Sequence, residues 1–194
     1  MKILNLYAGI GGNRLLWGNE HKVTAVEINP KIAKVYQDLF PNDEVIVADA
    51  HEYLLKHFKE FDFIWSSPPC QTHSRLQFTQ KTNKYPDMSL YQEILLLQTF
   101  YKGKFVIENV RPCYKPLIDP TFVIGRHVYW SSNKVPPIEN NEKYTAVRDK
   151  SSQMMEYYNV DISKYKGYIP IRACLRNMVK PEHGLYILNE VLNG

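Results

Sequence analysis

The stretch Phe61-Asp62-Phe63-Ile64-Trp65-Ser66-Ser67-Pro68-Pro69-Cys70-Gln71 constrains the fold of this chain more than any other. Its first half is an apolar, aromatic run that reads as a buried strand. Pro68 and Pro69 cannot donate to a sheet ladder, so the strand stops there and the chain turns. The residue the turn delivers is Cys70, at the carboxyl end of a strand, the edge at which open α/β sheets bind ligands. A thiol on a proline-stiffened turn is well placed for nucleophilic attack once it ionises. Taken alone, a cysteine is more often inert packing, so the weight falls on what surrounds it.

The preceding sixty residues alternate strands and helices. Lys2 to Tyr7 reads as a strand that runs into Ala8-Gly9-Ile10-Gly11-Gly12, with a helix expected to begin over Asn13 to Trp17. A strand, a glycine turn and a helix together form a nucleotide-cofactor cradle. A second strand, Lys22 to Val26, ends on Glu27, 18 residues past Gly9, where a carboxylate can accept both ribose hydroxyls. An exposed Glu ahead of a Pro30-initiated helix is the other reading of Glu27. Arg14 stands where the third glycine of a dinucleotide fingerprint would fall, which favours a smaller ligand such as S-adenosylmethionine over a dinucleotide. Lys31 to Phe40 has the periodicity of an amphipathic helix. A third strand over Val45 to Val47 leads to Asp49, either an acceptor for an adenine amino group or the N-cap of a helix through Phe58. His51 and His57 read as surface residues of that helix.

Beyond Cys70, the polar run Thr72 to Met88 is too long for a simple connection and reads as a lid or as a solvated loop. A buried helix over Ser89 to Tyr101 follows, then a strand over Lys104 to Ile107 ending on Glu108, 38 residues after Cys70. That separation is one strand–helix–strand unit, so the thiol and the carboxyl can converge from neighbouring parallel strands. Phe122–Ile124 and Val128–Trp130 read as a hairpin around Gly125 to His127, and an amphipathic helix spans roughly Pro181 to Leu192. The 194 residues suffice for a sizeable core. The net charge of +4 and pI of about 8.8 are compatible with a polyanionic partner. Three cysteines, odd in number and widely spaced, argue against disulfides or a zinc cluster, and no metal site is expected. No signal peptide or membrane span is evident, and a reducing cytoplasm is the expected setting.

In this order the motifs resemble those of the cytosine-C5 DNA methyltransferases. The resemblance rests on Asn5 to Gly12, Glu27-Ile28-Asn29, Asp49, Pro69-Cys70-Gln71, Glu108-Asn109-Val110, Arg126 and Asn177 to Pro181, and covers about residues 1–130 and 171–194. It implies an α/β, Rossmann-like S-adenosylmethionine-dependent methyltransferase fold. A mostly parallel twisted sheet would carry helices on both faces, and the C-terminal helix would fold back beside the first strand. It further implies a catalytic and cofactor domain over 1–130, a reduced target-recognition insert over 131–170 and a completing segment over 171–194, as in a small, phage-like member. Cys70 would attack C6 of a flipped-out cytosine, Glu108 would contact N3 and Arg126 would recognise O2. S-adenosylmethionine would be held by Tyr7, Ala8, Gly9, Gly11, Glu27, Ile28, Asp49, Ala50, Pro69, Leu90, Asn177 and Val179. Gln71, Ser74, Arg75 and Gln77 would meet double-stranded DNA, with Arg75 or Gln77 filling the gap left by the flipped base.

The chain departs from the family pattern at several points. Asn5 stands where Asp is common, Arg176 where Gly is common, and Arg126-His127-Val128 offers a single arginine. Residues 131–170 hold basic residues interleaved with tyrosines, among them Lys143, Arg148, Lys164, Lys166, Tyr157 and Tyr165, in a stretch far shorter than a full recognition domain. Two alternatives therefore stand beside a DNA methyltransferase. One is a scaffold that needs a partner subunit or a second copy; the other is an RNA cytosine-C5 methyltransferase. A nicotinamide-dependent oxidoreductase fits the residues less well.

Overall fold

The computed structural model describes residues 1–74, 85–138 and 150–194. Seven strands form one sheet: β1 (Lys2–Leu6), β2 (Lys22–Val26), β3 (Glu44–Ile46), β4 (Phe63–Ser66), β5 (Lys104–Val110), β6 (Phe122–Ile124) and β7 (His127–Ser131). Their spatial order is β3-β2-β1-β4-β5-β7-β6. β1 to β5 are parallel; β7 runs against them, and β6, antiparallel to β7, again shares their direction. The chain winds outward from β1 to β3 on one side and from β4 to β5 on the other. The gap between the carboxyl ends of β1 and β4 is therefore the topological switch point, where α/β sheets open a crevice.

Both faces of the sheet are covered, which explains why its strands read as continuous apolar runs. Leu4, Leu6, Ile64, Phe105 and Ile107 pack with Leu54 of α2 (Ala50–His57) and with Leu90, Ile94 and Leu97 of α3 (Ser89–Phe100). On the opposite face Ile3, Val23, Phe63, Trp65 and Val106 meet Ile187, Leu188 and Val191 of α6 (Pro181–Asn193). The C-terminal helix thus returns to the first strand, as expected. It seats closely: a Cβ at Gly184 would lie 2.4 Å from the backbone oxygen of Asn13. α1 (Pro30–Leu39) packs Tyr36 against Ala8 and Ala25 and is capped by Asn29, whose side chain accepts from the amides of Lys31 and Ile32. The architecture is the Rossmann-like α/β fold.

Three elements differ from their expected form. No helix forms over Asn13 to Trp17; tight turns do, with Arg14 N donating to Gly11 O and Trp17 N to Arg14 O. The segment is pulled in two directions. The Arg14 guanidinium reaches a buried Asp43 through two 2.9 Å bonds, while Trp17 enters the sheet core and Gly18 ends the run at φ +76°. β5 runs on through Glu108 and Asn109 to Val110, because β7 pairs along it antiparallel. Finally, the irregular-looking region after residue 150 is ordered. α4 (Ser151–Tyr158), a 3-10 turn at Ser163–Tyr165 and α5 (Ile171–Arg176) bury Met154, Tyr158, Val160, Ile162 and Tyr165 in one cluster with Ile10 and Val35. This core is shared with the glycine turn and α1. Of the expected insert, residues 139–149, including Lys143 and Arg148, lie outside the described residues.

Candidate active site

A cavity of about 1060 Å³ opens at the carboxyl edge of the sheet, over the switch point. Its floor on one side is the turn Tyr7 to Gly9 with Glu27, Ile28, Asp49 and Ala50; on the other it is Pro69, Cys70 and Gln71 with Glu108 and Arg126. Asn177 and Val179, from the loop between α5 and α6, close a third wall, and Ser74 lies at the rim. The thiol and the carboxyl, distant in sequence, thus front one space.

Two residues expected at this wall are not brought to it. Gly11 turns away: at φ +80° its missing Cβ would lie 2.3 Å from the Phe40 ring, so this glycine serves the close packing of α1. Leu90, 2% exposed, is buried between α3 and the sheet in the core beside Ile94 and Leu54. Arg75 and Gln77 lie outside the described residues, as does most of the expected lid. Of that segment, the described ends are fastened. Thr72 Oγ1 accepts from Asp87 N at 2.9 Å, and His73 is buried, with Nδ1 2.5 Å from the Tyr114 hydroxyl.

The half of the cavity below β1–β3 is built from polar groups that already have partners. Glu27 accepts from Gly9 N (3.0 Å) through one oxygen and from Asn29 N (2.9 Å) through the other. Each carboxylate oxygen retains a second lone pair for a ligand. Asp49 is the N-cap of α2, accepting from Glu52 N at 2.9 Å, and it also lines the cavity. Its two sequence readings are therefore compatible. Ile28 stays 65% exposed on the cavity wall, an apolar surface suited to a planar group. Behind Tyr7 sits an acid that sequence reasoning missed. Glu93 of α3 is fully buried and accepts from the Tyr7 hydroxyl (2.6 Å), Ser66 Oγ (2.6 Å) and His51 Nδ1 (3.0 Å). His51 is therefore a half-buried partner of this carboxylate and not a bare surface residue. Its hydrogen bond to Glu93 raises its pKa above the ordinary histidine value. An acid within an apolar helix, one turn from Ser89-Leu90, was the available signal.

The other half is chemically different. Burial pushes the Glu108 carboxyl up to about 7, against opposing effects of the Ser67 hydroxyl and the Arg126 charge. Burial raises the Cys70 thiol above its ordinary range, and the Glu108 charge adds to this, while Arg126 and Arg176 oppose it. His127 Nε2 lies 3.5 Å from Glu108 Oε1. Burial, then Arg126 and His183, push that imidazole down to about 3, so the contact brings a neutral imidazole to the carboxyl and is not an ion pair. The Cys70 turn is held by amides donated to its carbonyl from His73 and Ser74 and by Asn109 Nδ2, which donates to Pro68 O at 3.0 Å. Arg126 lies at the cavity edge with Nη2 on the carbonyls of Arg176 (2.7 Å) and Met178 (3.4 Å).

Sequence reasoning also missed the outer wall, which α4 and α5 supply through Tyr157, Tyr158, Ala173, Cys174 and Arg176. Burial, and secondarily Glu27, raise the Cys174 thiol to about 11, leaving it protonated. Among the described residues no cluster of His, Cys, Asp or Glu could hold a metal ion, and no helix is long and apolar enough to cross a membrane.

Comparison with known proteins gives a consistent result. Residues 1–118 match the family model of the C-5 cytosine-specific DNA methylases. A tRNA (cytosine(38)-C(5))-methyltransferase of Spodoptera frugiperda is 35% identical over 80 residues, 38% of this chain and 24% of that protein. One of Homo sapiens is 29% identical over 82 residues, 39% of this chain and 21% of that protein. The alignment thus spans less than a quarter of the length of either relative. A crystal structure of a Spodoptera frugiperda DNMT2 mutant superimposes with a TM-score of 0.42 at 29% identity, covering 56% of this chain and 35% of that one.

Proposed function

The chain belongs to the C-5 cytosine-specific DNA methylase family, and on that premise we propose that it methylates C5 of cytosine in DNA, with Cys70 as nucleophile and Glu108 as acid. The observation that carries this reading is the shared cavity: Cys70 and Glu108 front the same space as Gly9, Glu27 and Ile28.

The residues fit S-adenosylmethionine as the methyl donor. A Cβ at Gly9 would meet no atom within 4 Å, so the turn's backbone faces open space. Glu27 would take the ribose, Ile28 and the Tyr7 ring the adenine, Asp49 its amino group, and Asn177 and Val179 the remaining wall. When bound, this cofactor supplies the electrophilic methyl group.

The protein's own groups must make C5 of cytosine nucleophilic, which it is not in the free base. Cys70 Sγ bonds to C6, and the electron pair displaced from the C5–C6 bond charges the ring. Glu108 gives a proton to N3 as that charge develops, a form of assistance worth about 10²- to 10⁴-fold. Its elevated pKa suits it to hold that proton near neutrality. After C5 is methylated, its proton passes to solvent water, the electron pair left behind restores the C5–C6 double bond as the Sγ–C6 bond breaks to return the Cys70 thiolate, and Glu108 recovers its proton from N3. The target base must leave the duplex to reach Cys70, at a cost of a few kcal/mol.

A second reading, methylation of cytosine in RNA, is favoured by the names of the two relatives, both tRNA methyltransferases. Transfer of a labelled methyl group to duplex DNA and to tRNA in competition separates the two. The DNA reading expects duplex labelling that Cys70→Ala abolishes while cofactor affinity by calorimetry is retained. Labelling confined to tRNA overturns it in favour of RNA, and no labelling of either overturns both.

A further inference from the structure

A second depression, of about 710 Å³, lies between α4 and α5 and opens beside the catalytic cavity. The two share Pro170, Ala173 and Arg176 in their walls, so they form one continuous path along α5. The lining of this groove is unbalanced in charge. Lys166, Arg172 and Arg176 contribute three cations, Ser151 and Ser163 contribute hydroxyls, and no Asp or Glu among the described residues lines it. The neighbouring acid in the chain, Asp161, is engaged with the Ser163 amide at 2.8 Å. The same lining also holds apolar groups: Met155, Ile169 and Ile171.

A surface that combines cations and hydroxyls with aliphatic groups matches a nucleic-acid strand, whose phosphates the polar groups can take and whose sugars and base faces the apolar ones can take. Its continuity with the cavity through Arg176 fixes which strand this is. We propose that the α4–α5 groove binds the backbone flanking the target cytosine, with Lys166 and Arg172 on phosphates and Arg176 at the junction where the base enters the cavity. The groove would then supply the backbone grip that the short 131–170 region must provide. The inference rests on the methyltransferase reading only for the identity of the strand; the anion-binding character of the groove stands without it.

The test uses the full chain and a fluorescein-labelled, cytosine-containing duplex, with affinity measured by anisotropy across a salt series. Removing one cation from a phosphate should flatten the log K against log salt slope by about 0.9 for duplex DNA. Lys166→Gln with Arg172→Gln is therefore expected to flatten it by about 2 and to weaken binding by about tenfold or more near 0.1 M salt. Cofactor affinity should be unchanged, since neither Lys166 nor Arg172 lines the catalytic cavity. The control removes two lysines at the opposite, amino-terminal edge of the sheet, Lys59→Gln and Lys102→Gln, and is expected to leave the slope as in the parent chain. An unaltered slope and affinity in the groove variant overturns the proposal, as does an equal loss in the control. If binding depends on the groove but no cytosine is methylated, the groove stands and the catalytic reading falls. If methylation proceeds with an unchanged KM for DNA in the groove variant, the reverse holds.

Discussion

The two halves of the cavity treat buried charge in opposite ways. Beneath β1–β3, each buried acid has its donors in place. Glu27 holds the amides of Gly9 and Asn29, and Glu93 holds Tyr7, Ser66 and His51. Asp43 accepts twice from Arg14 and once from the Tyr36 hydroxyl at 2.9 Å. At the ends of β4 and β5, burial outweighs the partners present, and Cys70, Glu108 and His127 are all driven toward their neutral forms. A buried charge with partners is a scaffold, and one without them shifts its pKa. The first half is built to hold its shape before any ligand arrives. The second is poised to move protons when a substrate supplies the missing charge.

The sharpest way to break this contrast is to remove the proton at Glu108. Attack needs a thiolate at Cys70 and a proton on Glu108, one proton between two groups. Glu108 releases its proton near pH 7, and Cys70 releases its own only above its ordinary 9.0. kcat/KM should therefore rise as pH increases through about 7, then fall once the second proton leaves. Glu108→Gln should lower the rate by about 10²- to 10⁴-fold, and because only the thiol then titrates, the rate should keep climbing past pH 7 and lose the descending limb of the profile. It should also alter stability. The carboxyl ionises near 4.5 when unfolded and near 7 when folded. The stability this group contributes is complete below the lower value and lost as pH rises through the higher one. The Gln variant should thus gain several degrees in Tm over the parent at about pH 8, and little of that gain should remain at about pH 4.

The next largest effect is expected on the scaffold side. Asp43→Ala strands the Arg14 guanidinium in the interior and should cost about 3–5 kcal/mol in denaturant unfolding. That loss should be independent of pH across the range in which Glu108 titrates.

Smaller changes sharpen the comparison. Tyr7→Phe keeps the ring that faces the cavity but removes one of three donors to Glu93, for a loss of about 1–2 kcal/mol. Cofactor affinity, measured by calorimetry, should change little. Asp49→Ala should cost about 1 kcal/mol through the lost cap on α2. Asp49→Asn keeps a capping oxygen and isolates any direct loss of cofactor affinity.

The strand-then-turn grammar around Cys70 was readable because proline and glycine act locally: Pro68 and Pro69 end a strand wherever it lies. The same holds for Pro30 at the start of α1, for Asp49 as a cap, and for the periodicity of α1 and α6. Glu93 was not readable, because its three partners come from the turn after β1, from α2 and from β4, and only folding assembles them. The turns over Asn13 to Trp17 and the order of residues 150–176 were hidden for the same reason. Each is decided by a distant contact, Arg14 with Asp43 in one case and Met154 and Tyr158 with Val35 in the other.

What the sequence determined by itself was the kind of sheet, its carboxyl edge, and the thiol and carboxyl delivered there, since these depend on backbone punctuation and strand period. Only the tertiary structure decided which of those groups hold their charge. It also placed Gly11 and Leu90 in packing and brought α4 and α5 over the cavity as a cationic groove. Charge state and cavity shape are set by what surrounds a group in space, and that is fixed only when segments far apart in the chain are buried against one another.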